Sequence, residues 1–136
     1  MVRILSKEVL KIKEFDKETD LGRLAELWGN LCMVQQMRGE KFWMDQFNQS
    51  GLSWQDFLIS LSEMEVSKLL VFLYQDIVCG FTFFILNEDL ASIKEFYIEP
   101  GYQEKFEIQD LIQDIKAELK KSKVEFVEFD VKDLGV

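Results

Sequence analysis

Histidine is missing from the sequence, and cysteine occurs only at Cys32 and Cys79 among its 136 residues. Without imidazole there is no Ser-His-Asp triad, no histidine base and no histidine metal ligand. Proton transfer is therefore left to carboxylates, lysine, tyrosine, cysteine and bound water. The two cysteines are far apart with no second thiol near either, which excludes a CxxC redox motif and a zinc site. We expect no bound metal and two thiols that are buried as small apolar side chains.

Long apolar runs are missing too. The longest uncharged one, residues 77–86, is about half of the ~20 residues that a membrane helix needs. The N-terminus carries Arg3, Lys7 and Glu8 where a signal peptide would be apolar. We therefore expect a cytoplasmic protein that does not enter a membrane.

Positive charge is scarce, since 16 basic residues stand against 25 acidic ones and give a formal net charge of -9. Such a field repels nucleic acids and anionic membrane surfaces, whereas it attracts amines and other cations. We expect no nucleic-acid partner, and a small-molecule or peptide amine as the partner. An acidic composition is also an ordinary route to solubility, which is the alternative explanation.

Apolar periodicity and turn residues predict one domain over residues 1–136, in the order strand, helix, helix, three strands in a meander, helix, strand. Residues 38–52 contain aromatic side chains without a clear period and predict a loop with one helical turn at most. Thr19 or Asp20 is the expected cap of the first helix, and Ser53 with Asp56 forms a capping pattern for the second. The predicted strands are residues 11–15, 68–74, 77–86, 91–98 and 123–131, and the predicted helices are residues 20–36, 54–65 and 108–121.

The last strand, helix and strand, residues 91–131, form a crossover unit. A right-handed crossover places its two strands parallel in a sheet that is otherwise antiparallel. The predicted fold class is therefore α/β (α+β), with a mixed five-stranded sheet and helices on one or both of its faces.

Three local patterns accompany this order of elements. They are the hairpin Leu70 to Phe81 with Gly80 near the centre of its second strand, Leu27-Trp28 in the first helix, and Trp54 to Leu58 in the second helix. The order and these patterns resemble the GCN5-related N-acetyltransferase (GNAT) superfamily over about residues 10–131. The resemblance implies an acetyl-CoA-dependent N-acetyltransferase in which an amine attacks the thioester directly.

A further pattern follows the fourth predicted strand, where residues 96–103 read Phe-Tyr-Ile-Glu-Pro-Gly-Tyr-Gln. In the family this strand leads into the loop for the CoA pyrophosphate, whose signature is Arg or Gln, two residues, Gly, one residue, then Gly or Ala. Gln103 fits the first position, but Phe106 and Ile108 replace the two small residues. The resemblance also implies that Tyr97 and Ile98 contact the cofactor, with the backbone around Ile98 bonding the acetyl carbonyl.

The residues of this loop oppose a bound anion. Glycines let successive backbone N–H groups curve around a phosphate at a helix N-terminus, and the side chains of Phe106 and Ile108 obstruct that approach. Glu104 and Glu107 place two carboxylates where the anion would lie, and Lys105 offsets only one of them. We expect a degenerate cofactor-binding loop over residues 103–108, with acetyl-CoA binding weak or lost.

Glu95 is the candidate catalytic base. Strand alternation places it on one face with Ile93 and Tyr97, near the point where the family's fourth and fifth strands separate. The alternative is an ordinary surface charge in contact with solvent, because the sequence offers no feature that would shift the pKa of a lone glutamate on a strand.

Aromatic and methionine side chains are concentrated in the first helix and in the segment after it. Trp28, Met37 and Trp43 are the candidate acceptor-site residues, since the resemblance places the acceptor site of GNAT enzymes in this region. Packing of these side chains against the sheet is the alternative.

The predicted order stops after the fifth strand, whereas family members usually continue into a helix that often carries a tyrosine for protonating the CoA thiolate. We expect a chain truncated relative to the family, with no position that matches this tyrosine. The last strand, Lys123 to Val131, would have an open edge that pairing in a homodimer satisfies. Protection of this edge by its acidic residues is the alternative.

Two functions follow from these observations. The first is acetyl-CoA-dependent N-acetyltransferase-like activity on an amine of unknown identity. The second is a non-catalytic GNAT-fold module for binding or dimerisation, since a fold does not by itself fix a function.

Overall fold

The computed structural model of the protein describes residues 10–128, in which five strands form a single sheet. They lie side by side in sequence order. Neighbouring strands among the first four are antiparallel, and the fifth is parallel to the fourth. The predicted mixed sheet, with a parallel pair around the last helix, is confirmed. The strands are β1 (Leu10–Glu14), β2 (Ser67–Tyr74), β3 (Ile77–Asn87), β4 (Leu90–Ile98) and β5 (Phe126–Glu128).

Four α-helices and one 3-10 helix accompany the described part of the sheet. Three α-helices lie between β1 and β2, and the fourth joins β4 to β5. No helix within residues 10–128 is long and apolar enough to cross a membrane. The helices are α1 (Leu21–Met37), α2 (Phe42–Ser50), α3 (Trp54–Ser62), the 3-10 helix (Pro100–Lys105) and α4 (Ile108–Lys120).

The segment predicted to be a loop contains α2, so that prediction was wrong. Its aromatic side chains do not share one face, since Trp43 is buried beside Phe83 whereas Phe42 is 62% exposed. Gly51 ends this helix at φ 71°, a left-handed conformation that glycine adopts without steric cost.

The strand predicted for residues 123–131 is short in the described part of the chain. Only Phe126–Glu128 pairs with β4, and residues 129–131 lie outside the described residues. The homodimer expected at this edge therefore stays a prediction.

Two apolar cores lie on opposite faces of the sheet. Because β2 and β3 supply side chains to both, the predicted burial of this hairpin on two faces is confirmed. The face covered by α1, α2 and α3 is called the α1–α3 face, and the opposite one the α4 face. The α1–α3 face includes Leu24, Leu27, Trp28, Phe57, Leu58, Val71, Phe81 and Phe83, and the α4 face includes Leu70, Phe72, Phe84, Ile93, Ile98, Leu111, Ile115 and Leu119.

The two predicted helix caps differ in the structure. The side chain of Ser53 accepts a hydrogen bond from the Asp56 amide at 3.1 Å, which confirms the cap of α3. Asp20 precedes α1, but its carboxylate accepts from the Asp16 amide and pairs with Lys13 instead of capping the helix. The ion pair keeps this buried carboxylate partnered, and it ties the start of α1 to β1.

One extra residue, Lys94, forms a bulge in β4. Its neighbours Ile93 and Glu95 pair with consecutive residues of β3, so the alternation of side chains reverses at this point. Ile93 consequently packs on the α4 face, whereas Tyr97 packs on the α1–α3 face, where Glu95 contacts two helices. The prediction that all three side chains share one face is wrong for Ile93, because strict alternation ignores the bulge.

Gly80 in β3 lies too close to β4 for any side chain. A Cβ atom there would stand 2.5 Å from the backbone oxygen of Tyr97 and 2.8 Å from Cδ2 of Phe72. The Tyr97 oxygen belongs to the main chain of a paired strand, so it cannot move away by rotating about a side-chain bond. This contact explains why the predicted glycine occupies this place in β3.

Replacing Gly80 with alanine should destabilise the protein by about 1–3 kcal/mol, because the new methyl group forces β3 away from β4. The control is Gly29→Ala in α1, where nothing lies within 4 Å of the added Cβ. Alanine should there stabilise the helix by about 0.5–1 kcal/mol. Urea unfolding followed by circular dichroism measures both effects, and equal effects of the same sign would contradict the close approach.

Candidate functional site

Glu95 is held by hydrogen bonds from two helices. The side-chain amide of Gln35, near the end of α1, donates to the carboxylate with 3.0 Å from Nε2 to each oxygen. The indole Nε1 of Trp43 in α2 donates to Oε2 at 2.8 Å. These donors fix the orientation of the carboxylate.

A cavity of about 660 Å³ opens beside Glu95, between α2, α3 and the adjoining face of β3 and β4. This volume lies in the range of sites that hold small organic ligands. Its walls are mainly apolar, and Glu95 is the strand carboxylate that reaches it. The apolar lining is Phe42, Trp43, Phe57, Leu61, Met64, Phe83 and Ile85.

The three predicted acceptor-site residues occupy different places. Trp43 lines the cavity. Trp28 is fully buried on the α1–α3 face, stacked on Phe81 at 4.8 Å between ring centroids and edge-on to Trp43 at 5.2 Å. Met37, the last residue of α1, is 86% exposed and is absent from the cavity lining. The structure thus brings Trp43 together with Glu95, leaves Trp28 in the core and keeps Met37 at the surface.

Gln35 is a site residue that sequence analysis missed. It follows Leu31 by four residues and so continues the buried stripe of α1 with a polar side chain. A polar residue in an apolar stripe needs a hydrogen-bond partner, and this signal could have identified it. Its partner Glu95 lies 60 residues away, which no local pattern indicates.

The backbone N–H and C=O groups of Ile98 point away from β3. The amide of the next residue, Glu99, donates to the carbonyl of Cys79 in β3 at 2.8 Å, and neighbouring amides in an antiparallel ladder point in opposite directions. From the outer side, Gln103 Nε2 donates to the Ile98 carbonyl at 3.1 Å. Among the described residues, β5 pairs only with residues 90–92, so it does not reach this part of the β4 edge.

The loop after β4 is filled by its own apolar side chains. Phe106 and Ile108 pack with the core of the α4 face, and the ring of Phe106 lies 6.1 Å from that of Phe72. These are the positions at which the resemblance requires small residues. The backbone before them is wound into the 3-10 helix instead of an open loop.

The charged residues of this loop are exposed. The side chains of Glu104 and Glu107 are exposed to solvent. Glu107 lies immediately before α4, where the first N–H groups of the helix have no partner within it. The ammonium of Lys105 lies 5.6 Å from the centre of the Tyr74 ring, a cation–π contact. Negative charge therefore dominates at the start of α4.

Arg23, near the start of α1, secures the end of β4. Its guanidinium donates to the Glu99 carboxylate at 2.5 Å and to the Val78 carbonyl at 2.9 Å, and it also pairs with Glu26. Burial lowers the pKa of Arg23, but the hydrogen bonds and charges of Glu99 and Glu26 outweigh this effect and raise it. Sequence analysis did not find this contact, because Arg23 and Glu99 are 76 residues apart.

Solved structures with the same arrangement of strands and helices include several acetyltransferases. The chain aligns with an aminoglycoside acetyltransferase from an uncultured soil metagenomic sample, solved with sisomicin, at a TM-score of 0.65 and 18% identity over 95% of this chain and 84% of that one. It also aligns with the PaiA N-acetyltransferase of Thermoplasma acidophilum, solved with coenzyme A, at 0.61 and 18% over 93% and 83%. The chain has the GNAT fold.

A third structure with the GNAT fold extends this similarity to a protein-modifying enzyme. The ribosomal-protein-alanine N-acetyltransferase of Brucella melitensis aligns at a TM-score of 0.64 and 11% identity, over 89% of this chain and 79% of that one. No protein-family model matches the sequence, and no curated protein is significantly similar to it. At these identities the likeness concerns the fold.

Neither cysteine of this GNAT fold is suited to nucleophilic chemistry near neutral pH. Burial raises the pKa of the Cys32 thiol to about 12, and the Glu95 charge adds to the effect while the Trp28 indole opposes it. Burial likewise raises the pKa of Cys79 to about 11, with Glu99 adding and Arg23 opposing. Within residues 10–128, no group of Cys, Asp and Glu side chains is arranged to hold a metal ion.

Mutation of Cys79 should change the alkaline stability of the protein. An unfolded thiol with the ordinary pKa of 9.0 ionises before the folded one at about 11, so stability is full below pH 9 and falls as the pH rises towards 11. The loss is about 1.4 kcal/mol per pH unit for this thiol. Urea unfolding from pH 8 to 10.5 should show a shallower decline in Cys79→Ala, and parallel curves for the two proteins would contradict it.

Proposed function

We propose that this domain transfers an acetyl group from acetyl-CoA to an amine bound in the cavity beside Glu95. The observation that carries the proposal is the placement of this carboxylate, which lines the cavity and is oriented by Gln35 and Trp43. A general base must lie within hydrogen-bond reach of the proton that it removes. The acetyltransferases of the same fold, including those solved with CoA or a CoA analogue, support this class of reaction.

In this mechanism Glu95 removes the proton that keeps the amine unreactive. Acetyl-CoA supplies the acetyl thioester, and the amine enters mainly as an ammonium ion. After one proton passes to Glu95, the amine nitrogen forms a C–N bond to the acetyl carbon while the C–S bond breaks. The sulfur leaves with the bonding electron pair and takes a proton from solvent, the new amide nitrogen loses its extra proton to solvent, and Glu95 returns its own proton to solvent.

The residues at the end of β4 fit the acetyl end of the cofactor. The amide of Ile98 faces away from β3 and would donate to the thioester carbonyl oxygen. Tyr97, one residue earlier, lies on the α1–α3 face. Burial and the Glu99 charge raise its pKa, with Arg23 opposing, so Tyr97 remains a neutral phenol at neutral pH.

The residues at the pyrophosphate end fit the cofactor less well. Gln103 already donates to the Ile98 carbonyl, and Phe106 and Ile108 fill the space beneath the loop. Glu104 and Glu107 add negative charge at the start of α4. We infer that CoA binding is weak, with residues 103–108 forming the loop that limits it.

The same packing favours a second candidate function. A loop closed by Phe106 and Ile108 would suit a GNAT-fold module that keeps the cavity for ligand binding but has lost the cofactor. Measurable acetyl transfer separates the two functions, since a binding module produces none.

Replacing Glu95 with glutamine should lower the rate of acetyl transfer by about 10²–10⁴, because the amide cannot accept the proton from the amine. Release of CoA thiol from acetyl-CoA, measured over a panel of amines, follows the reaction. Glu65→Gln is the control, since Glu65 is exposed and lies outside the cavity lining. An unchanged rate in folded Glu95→Gln protein would rule out this base.

Reversing the charge of the loop should strengthen CoA binding. In the double variant Glu104→Lys and Glu107→Lys, calorimetry should show affinity higher by about tenfold or more, with the gain shrinking as salt screens the charges. The matched control is Glu18→Lys with Glu65→Lys, which makes the same change in net charge at other exposed positions. Micromolar or tighter CoA binding by the unmodified protein would contradict the proposed weakness of this loop.

A further inference from the structure

We propose that the amine accepted by this cavity carries one positive charge on an apolar, ring-sized body, and that polycationic amines are excluded. This deepens the proposed function, and its transfer step rests on that function. The binding preference itself follows from the charges and walls of the cavity.

The cavity offers a single well-placed anion for an ammonium group. Glu95 comes from a strand, and two donors on different helices hold its carboxylate in place. An oriented carboxylate recognises a cation with little loss of side-chain freedom on binding. One ammonium group can therefore be bound at this point.

A second cation meets unfavourable surroundings. Glu40 is the other acidic residue of the lining, but its side chain is 51% exposed and lies 3.9 Å from the guanidinium of Arg38. Lys41 and Lys94, both exposed, place two positive charges at the same cavity. The formal charges of Glu40, Lys41, Lys94 and Glu95 sum to zero, so an amine with several ammonium groups lacks partners for all but one of them.

The walls select an apolar body for this amine. Trp43, Phe57 and Phe83 are almost fully buried, and the small surface that each keeps faces a cavity lined also by Leu61 and Ile85. Aromatic and aliphatic walls bind rings by burying apolar surface, whereas a hydrated polyamine would lose water without gaining partners. One end of the ligand is therefore charged, and the rest is apolar.

These features contrast with the ligand of a structural neighbour. The soil acetyltransferase of the same fold was solved with sisomicin, an aminoglycoside, a class of molecule that carries several ammonium groups. The cavity beside Glu95 is built for a smaller and more apolar amine.

Binding measured without acetyl-CoA tests this preference. The probes are 2-phenylethylamine, its uncharged analogue 2-phenylethanol, spermidine and sisomicin, each titrated by calorimetry into the full chain. We expect 2-phenylethylamine to bind about tenfold or more tightly than each of the others. Equal or tighter binding of spermidine or sisomicin, or no saturable binding of 2-phenylethylamine, would overturn the proposal.

Three variants separate recognition of the ammonium charge from nonspecific apolar binding. Glu95→Gln should remove the preference for 2-phenylethylamine over 2-phenylethanol, and Phe42→Ala should weaken both ligands about equally. The pair Lys41→Glu with Lys94→Glu should raise spermidine affinity by about tenfold. Lys11→Glu with Lys121→Glu, both at exposed positions outside the cavity, is the matched control and should leave it nearly unchanged. A persistent amine preference in Glu95→Gln, or equal gains in the two lysine pairs, would contradict the argument.

Activity assays with the same ligands distinguish this proposal from the proposed function. The expected binding preference without acetyl transfer would support the ligand class and reject the enzyme. Transfer to spermidine or sisomicin in preference to 2-phenylethylamine would support the enzyme and reject the ligand class.

Discussion

Lys94, the extra residue of β4, determines which side of the sheet the second half of that strand presents to its neighbours. Ala91 and Ile93 pack on the α4 face before the bulge. Without it, alternation would carry Glu95 and Tyr97 onto that same face and turn the side chain of Ile98 to the other. The bulge therefore brings a carboxylate beneath α1 and α2, and the Gln35 amide, the Trp43 indole and the cavity are arranged around this position.

The order of elements follows from periodicity because most of them are long and have a single apolar pattern. The β2–β3 hairpin is apolar on both sides, which is the signature of a strand covered by two layers. Apolar periodicity does not reveal the helix α2, since Trp43 is buried while its neighbour Phe42 is exposed. Bulges escape it as well, because the residue that shifts the register, here Lys94, is fixed by pairing with another strand.

The candidate site was harder to predict from the sequence than the fold was. Glu95 was identifiable from its place on the fourth strand, but the donors that orient it come from residues 52 and 60 positions away. Trp28 and Met37 belong to the same aromatic and methionine-rich region as Trp43, yet one is fully buried and the other almost fully exposed. Composition marks such a region, whereas tertiary packing decides which of its members reach a cavity.

The contacts of α1 with β4 hold that strand at two places along its length. Gln35 reaches Glu95 on the cavity side, and Arg23 holds Glu99 beside the outer edge at Ile98. These two attachments are roughly 18 Å apart along the helix, so together they fix the angle of α1 against β4. Under the proposed function, an amine beside Glu95 and a thioester at Ile98 would then meet at a spacing that the fold sets in advance.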